Sequence, residues 1–141
     1  MSNTLYQEVL LAHNREPHHF GKPENYCCSG KAYNPNCGDD LMVYIQCDEP
    51  SQGLNLHFDG EACAVATASA SLMSEVLSGK TKQEVIKACQ HFVEVIENNK
   101  ALDDDALLTK LKPLLTVRDY PGRIGCATLA WRSVIKALNE S

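Results

Sequence analysis

The chain has 141 residues and a formal net charge of −5, from thirteen Lys and Arg against eighteen Asp and Glu; that length points to one domain, 1–141, around a single core. The acidic balance argues against a nucleic-acid binder, and no apolar run approaches the ~18 residues of a membrane span. With 44% apolar and 22% charged residues a real core can be buried, and the N-terminus lacks the basic-then-apolar layout of a signal peptide, which points to a cytoplasmic location.

Leu5, Val9 and Leu10, with Tyr6, recur at helical spacing and predict a short amphipathic helix over residues 4–14. Residues 17–30, rich in Pro, Gly, Asn and His, read as a long ordered loop. A short strand is expected at 31–33, ahead of the Asn34-Pro35 turn signal. Leu41, Val43, Ile45 and Cys47 alternate with Met42, Tyr44 and Gln46, the period of a strand with one buried face. Leu54, Leu56 and Phe58 repeat the alternation after a turn at 50–53, which predicts a hairpin or meander. Beyond Gly60 the pattern is helical. A helix is expected over 64–78, stopped by Gly79. Thr81 and Glu84 fit a capping box opening the next, which turns Val85, Cys89, Phe92 and Ile96 inward. Asp103, Asp104 and Asp105 are placed to cap a third, short helix with Leu107, Leu108 and Leu111, which Pro113 should end or kink. A last helix begins near 121–123 and carries Ala127, Trp131, Val134 and Leu138 inward. Early strands and late helices predict an α+β fold, a small antiparallel sheet of about three strands covered by helices on one face.

Seven cysteines in a chain without an export signal argue against a disulfide framework, and an odd count rules out complete pairing within one chain. Cys47 continues the face of Leu41, Val43 and Ile45, and Cys89 lies on a helical apolar stripe, so both are expected in the core. Cys27 and Cys28, adjacent in a loop, read as passive surface thiols or spare metal ligands. The other three differ in setting. Cys37 sits in the turn Asn34-Pro35-Asn36-Cys37-Gly38-Asp39, Cys63 where a strand gives way to a helix, and Cys126 at the start of the final helix. Helix N-termini favour a thiolate, the form that binds metal and attacks sulfur. The small residues of 64–71 would let that helix pack closely and help bring the three loops together. Three thiolates with the Asp39 carboxylate suit a tetrahedral soft-metal site. Unrelated loop cysteines are the alternative that spacing leaves open. No C-x-x-C occurs, so ribbon-type zinc motifs and thioredoxin-like redox pairs are excluded.

Asn34 to Asp39, then Cys63 before an Ala/Ser-rich helix, then Arg123 to Trp131 (RIGCATLAW) resemble the U-type iron–sulfur cluster assembly proteins (the NifU N-terminal, IscU-like family). Tyr6, Val9, His13, Pro17 and Gly21 are spaced as in that family, so the likeness covers nearly the whole chain. IscU-type scaffolds carry a His directly before the third Cys. Here Gly125 holds that position, and a segment containing the acidic run lengthens the interval between Cys63 and Cys126; both features resemble the SufU-type branch. That resemblance implies zinc bound by Cys37, Asp39, Cys63 and Cys126, with Cys37 accepting sulfur from a SufS-type cysteine desulfurase and Arg123 offsetting the site's negative charge. Downstream Suf assembly proteins or apo-proteins are the implied further partners. Branch members usually place Lys or Arg where Gly125 stands, and family members commonly have Arg-Asn where this chain has His18-His19.

Three functions compete. The first is a sulfur acceptor and transfer partner of a desulfurase rather than an independent enzyme. The second is a scaffold that assembles and hands over a [2Fe–2S] cluster on the same ligands. The third is a structural zinc module without sulfur chemistry, against which Asp39 argues, since such sites ordinarily use Cys and His. Outside these, His18 and His19 are expected at the surface or as auxiliary ligands, His57 faces solvent, and His91 has no chemical role.

Overall fold

The computed structural model describes residues 2–48, 53–102 and 108–140. The element order is α1 (Ser2–Arg15), β1 (Cys28–Asn34), β2 (Asp39–Asp48), β3 (Gly53–Glu61), α2 (Ala64–Leu77), α3 (Lys82–Glu97), a 3-10 helix (Leu108–Asp119) and α4 (Pro121–Glu140). This is the expected α+β fold. The three strands form an antiparallel meander in the order β1-β2-β3, with Val43 opposite Gly30 on one side and Phe58 on the other.

The alternation in β2 and β3 does what its period requires. Leu41, Val43, Ile45, Leu56 and Phe58 are all buried on the face covered by α2 and α4. Cys47 lies on the same side by register but is exposed and disulfide-bonded to Cys27, correcting both its core assignment and the expectation of no disulfide. The physical reason is that alternation reports which face a residue takes, whereas burial depends on what covers the strand's end. Pairing of Cys28 with Ile45, extended by the Cys27 N–H bond to Ile45 O, brings the Cys27 and Cys47 Cα atoms to 6.0 Å, within bridging range. Cys28, predicted in the loop, is half-buried in β1.

α2 is the central helix. Every residue from Ala68 to Ser74 is buried, so this stretch has no solvent face, the mark of a helix covered all round. Small side chains allow that closeness, and the helix meets α1, α4, β3 and the 3-10 helix. Leu77 is its last residue, Ser78 its C-cap, and Gly79 follows at φ 95°. The Thr81–Glu84 capping box opens α3 as expected, and Val85, Cys89, Phe92 and Ile96 line its buried stripe. Burial pushes the Cys89 thiol far above its ordinary pKa, so it stays a neutral core residue.

Pro113 neither ends nor kinks a helix; it lies within the 3-10 segment. Leu111, Leu114 and Val117 are buried at intervals of three, the period of a 3-10 helix, and the fixed φ of Pro fits that conformation. The predicted cap Asp103–Asp105 and Leu107 lie outside the described residues. Pro121 opens α4 at the position where a missing N–H costs least. Ala127, Trp131, Val134 and Leu138 point inward from it as predicted, and Trp131 stacks on Phe92 at 4.1 Å.

One polar relay crosses this core. The Trp131 indole N–H donates to Ser69 Oγ at 2.9 Å, and Ser69 Oγ donates to the Ala127 carbonyl at 2.5 Å. Ser69→Ala should therefore lower the unfolding free energy by about 1–3 kcal/mol, the cost of stranding a buried donor, as measured by urea denaturation. A loss indistinguishable from zero would show that the indole finds another acceptor.

Candidate metal centre

The turn between β1 and β2 presents the first thiol. Asn34 Oδ1 accepts the Asn36 N–H at 3.2 Å, and Asn34 O accepts the Cys37 N–H at 3.3 Å. Gly38 completes the turn at φ 73°, a conformation that suits Gly. Cys37 is left half-buried, and Asp39, the first residue of β2, is fully buried. At the far side of the sheet, β3 ends at Glu61 and Cys63 becomes the N-cap of α2. The Cys63 N–H donates to Asp39 Oδ1 at 2.8 Å, while Cys63 Sγ accepts the Ala66 N–H at 3.4 Å. Cys63 thus occupies the helix start that its sequence setting predicted.

Cys126 does not. α4 begins at Pro121, so Cys126 lies more than a turn inside it and is buried. Its own N–H belongs to the helix ladder, and helix-start stabilisation of a thiolate is not available to it. Burial first, and then contacts with Cys37, Asp39 and Cys63, push its thiol well above the ordinary range. Cys126 Sγ donates to Cys37 Sγ at 2.8 Å. Arg123 is exposed, with Nη1 3.8 Å from Cys37 Sγ. The Cys126, Cys63 and Cys37 sulfurs raise its pKa further.

Among the described residues, the ligand atoms of Cys37, Asp39 and Cys126 lie within 4.8 Å of one another. Cys63 Sγ is not in that trio; it is engaged in capping α2. Asp39 Oδ2 is buried with no hydrogen-bond partner among the described residues. A buried carboxylate oxygen beside two thiols, with its other oxygen satisfied, is a group short of a cation. The donor set therefore fits a soft divalent metal. Two sulfurs on one tetrahedral zinc, at ~2.3 Å bonds, stand about 3.8 Å apart, so Cys37 and Cys126 would part by about 1 Å to admit one.

Asn34 is the residue that sequence reasoning missed. Its Nδ2 lies 3.8 Å from Cys126 Sγ while its Oδ1 and carbonyl shape the Cys37 turn; the Asn-Pro-Asn run is legible as a turn but not as a sulfur contact. A cavity of about 400 Å³ opens beside Cys37, lined by Asn34, Gly122, Gly125, Thr128 and Arg132. Gly125 widens it, since a Cβ there would meet only Asn34 Nδ2, at 3.6 Å. The lone histidines hold no place here. His57 is half-buried, with its Nε2 donating to Gln46 Oε1 at 3.0 Å, and His19 Nδ1 lies 2.9 Å from Leu56 O.

The family model for the NifU-like N terminal domain matches residues 5–137. The iron–sulfur cluster assembly scaffold protein IscU of Streptococcus pyogenes serotype M1 is 32% identical over 99% of this chain and 86% of its own length. The zinc-dependent sulfurtransferase SufU of Bacillus subtilis strain 168 is 30% identical over 96% of this chain and 90% of its own. A solved structure named as an iron–sulfur cluster assembly scaffold protein for the SUF system, from thermophilic Fervidobacterium islandicum AW-1, superposes with a TM-score of 0.83 at 29% identity, covering 98% of this chain and 99% of that one.

Gly60 holds the Asp39–Cys63 contact in register. Its φ is 119°, and a Cβ there would run into the Asp40 carbonyl oxygen. Gly60→Ala should cost about 1–3 kcal/mol of stability and speed hydrogen exchange at the Cys63 amide. Unchanged protection of that amide would mean the contact does not depend on Gly60.

Proposed function

Because the chain belongs to the NifU-like N-terminal domain family of iron–sulfur cluster assembly proteins, we propose that Cys37 accepts persulfide sulfur from a SufS-type cysteine desulfurase while a zinc ion occupies the site. Cys37, Asp39, Cys63 and Cys126 would hold the zinc, which keeps the thiols deprotonated and tempers them as nucleophiles. The observation that carries this reading is the orphaned, buried Oδ2 of Asp39 beside the Cys37 and Cys126 sulfurs.

Each residue has a task that follows from its position. Cys37 is the most reachable of the close pair, at a turn and bordering the cavity. Its thiolate attacks the terminal sulfur of the donor persulfide. The donor's S–S bond breaks, a bond forms from Cys37 Sγ to the transferred sulfur, and the donor cysteine leaves as a thiolate with no net oxidation. Cys126 is buried beneath Cys37, and Asp39 is fixed by the Cys63 N–H, so these two hold position while Cys37 moves. The Arg123 guanidinium faces the incoming sulfur's negative charge. The cavity beside Cys37 gives a persulfide-bearing segment room to enter, and Gly125 leaves that entrance clear. Downstream Suf proteins or apo-proteins would take the sulfur onward.

A second reading has the relatives' names in its favour. The Streptococcus relative and the Fervidobacterium structure are both named scaffold proteins, and the same four side chains could hold a [2Fe–2S] cluster as cargo, with Asp39 the weakest ligand to iron.

Two variants test the proposal. Incubated with a SufS-type desulfurase and cysteine, the wild type should gain one sulfur on the Cys37 peptide by mass spectrometry, and Cys37→Ser should gain none. An equal gain elsewhere in Cys37→Ser would remove Cys37 from the role. Asp39→Asn keeps an acceptor for the Cys63 N–H but removes the charge, so zinc affinity should fall about tenfold or more with the fold intact by circular dichroism. Iron with acid-labile sulfide in protein purified without oxygen would shift the reading to the scaffold.

A further inference from the structure

A second cluster of donors lies along α2, away from the cysteines. His13 from α1, His18 from the loop after it and Glu75 from α2 bring their ligand atoms within 4.8 Å of one another. We propose that these three side chains form a binding site for a divalent first-row metal ion of the zinc–iron class, separate from the cysteine site. Two imidazoles and one carboxylate, with positions left open for water, are a donor set such ions take.

The cluster is held as a built site rather than a chance meeting of surface groups. Ser71 Oγ lies 2.7 Å from His13 Nδ1 and also accepts the His18 backbone N–H at 2.7 Å. Ser74 Oγ donates to the His18 carbonyl at 3.2 Å, so His18 is fixed to α2 from both sides. With Nδ1 of His13 donating to Ser71, its Nε2 lone pair faces Glu75 Oε1, 4.0 Å away. That is the second hydrogen bond by which proteins orient a metal-bound imidazole. His18 Nδ1 stands 2.7 Å from the same Oε1. Donor atoms around one ion at ~2.1 Å lie about 3.0–3.4 Å apart, so the two histidine–Glu75 separations must close and open, respectively, by less than about 1 Å, and the two imidazole nitrogens, within 4.8 Å of each other, must draw together by no more than about 1.8 Å. His13 is buried, Glu75 is half-buried, and the exposed His18 has the freedom to make that adjustment.

Lys110, from the 3-10 helix, bonds the other carboxylate oxygen, Oε2, at 2.9 Å. It leaves Oε1 as a one-oxygen ligand, but its charge opposes a cation. A cavity of about 350 Å³ lined by Val9, His13, Leu72, Glu75 and Lys110 adjoins the cluster and supplies room for water ligands. Glu75 lies twelve residues beyond Cys63 on the same helix, ~18 Å along its axis. The two donor sets therefore share no ligand, and this site does not rest on the proposed sulfur chemistry.

The test is a titration of Co²⁺ into the full, reduced chain without oxygen. Binding at the cysteines appears as thiolate-to-cobalt charge transfer. Binding at the proposed site appears as saturable, hyperfine-shifted resonances of two imidazoles. Both histidines should shift, His18→Gln should weaken that binding about tenfold or more, and Lys110→Gln should tighten it. Cobalt binding accounted for wholly by the thiolate band, or a His18→Gln chain that saturates like wild type, would overturn the proposal. The thiolate band reports on the cysteine site in the same experiment, so failure of either site is read separately.

Discussion

A buried carboxylate with one bonded oxygen and one bare one is the constraint around which this molecule is arranged. Asp39 sits at the first position of β2, and its Oδ1 takes the N–H of Cys63 at the mouth of α2. That single bond ties the β1–β2 turn to the β3–α2 crossing, two parts of the chain separated by a whole hairpin. Burying Oδ2 without a partner from the described residues costs free energy on the order of a kcal/mol or more unless a cation or other group meets it. The Cys63 N–H bond to Oδ1 and the surrounding packing hold the carboxylate there, fully buried.

Those neighbours are possible because of side-chain size. The Ala and Ser residues of α2 let α4 come close enough for Cys126 to reach Cys37 across the end of the sheet. Larger residues would push the two helices apart and separate the sulfurs with them. The same closeness requires the few polar side chains inside to satisfy one another, and Ser69 does so between the Trp131 indole and the Ala127 carbonyl. Packing in the core and the geometry of the donors are thus one requirement, met by the composition of one helix.

What can be read from the residues follows the range of the physics. The period-2 alternation of β2 and β3, the Thr81–Glu84 capping box, the stop at Gly79 and the inward stripe of α4 all rest on residues within a turn or a strand of each other, and the structure has them all. Features needing a remote partner are not legible in this way. Cys47 has the parity of a core residue, but only the pairing of β1 with β2 brings Cys27 beside it. Pro113 reads as a stop for an α-helix because the threefold spacing of Leu111, Leu114 and Val117 suits an α-helical face as well as a 3-10 one. Cys126 reads as part of the helix start, although α4 opens at Pro121, within the expected 121–123, and that leaves Cys126 more than a turn inside it. His18 stands out in sequence as a surface residue or auxiliary ligand, but its partners do not, since neither Ser71 nor Glu75 is near it along the chain.

The two donor clusters differ in the chemistry they offer, and their common helix keeps them apart. The proposed cysteine site presents sulfur from a turn, a helix cap and a helix interior, with one carboxylate. The proposed second site presents imidazole nitrogen and a carboxylate shared with an ammonium group. Thiolates select soft ions and hold them tightly, whereas imidazole and carboxylate accept harder ones and exchange them more readily. A helix interior at ~1.5 Å per residue is a rigid spacer, so neither cluster can borrow a ligand from the other. An ion at the histidines would thus leave the cysteines' coordination unchanged. α2 is the element the two clusters share, with Ser71 and Ser74 holding one cluster and the Cys63 cap belonging to the other.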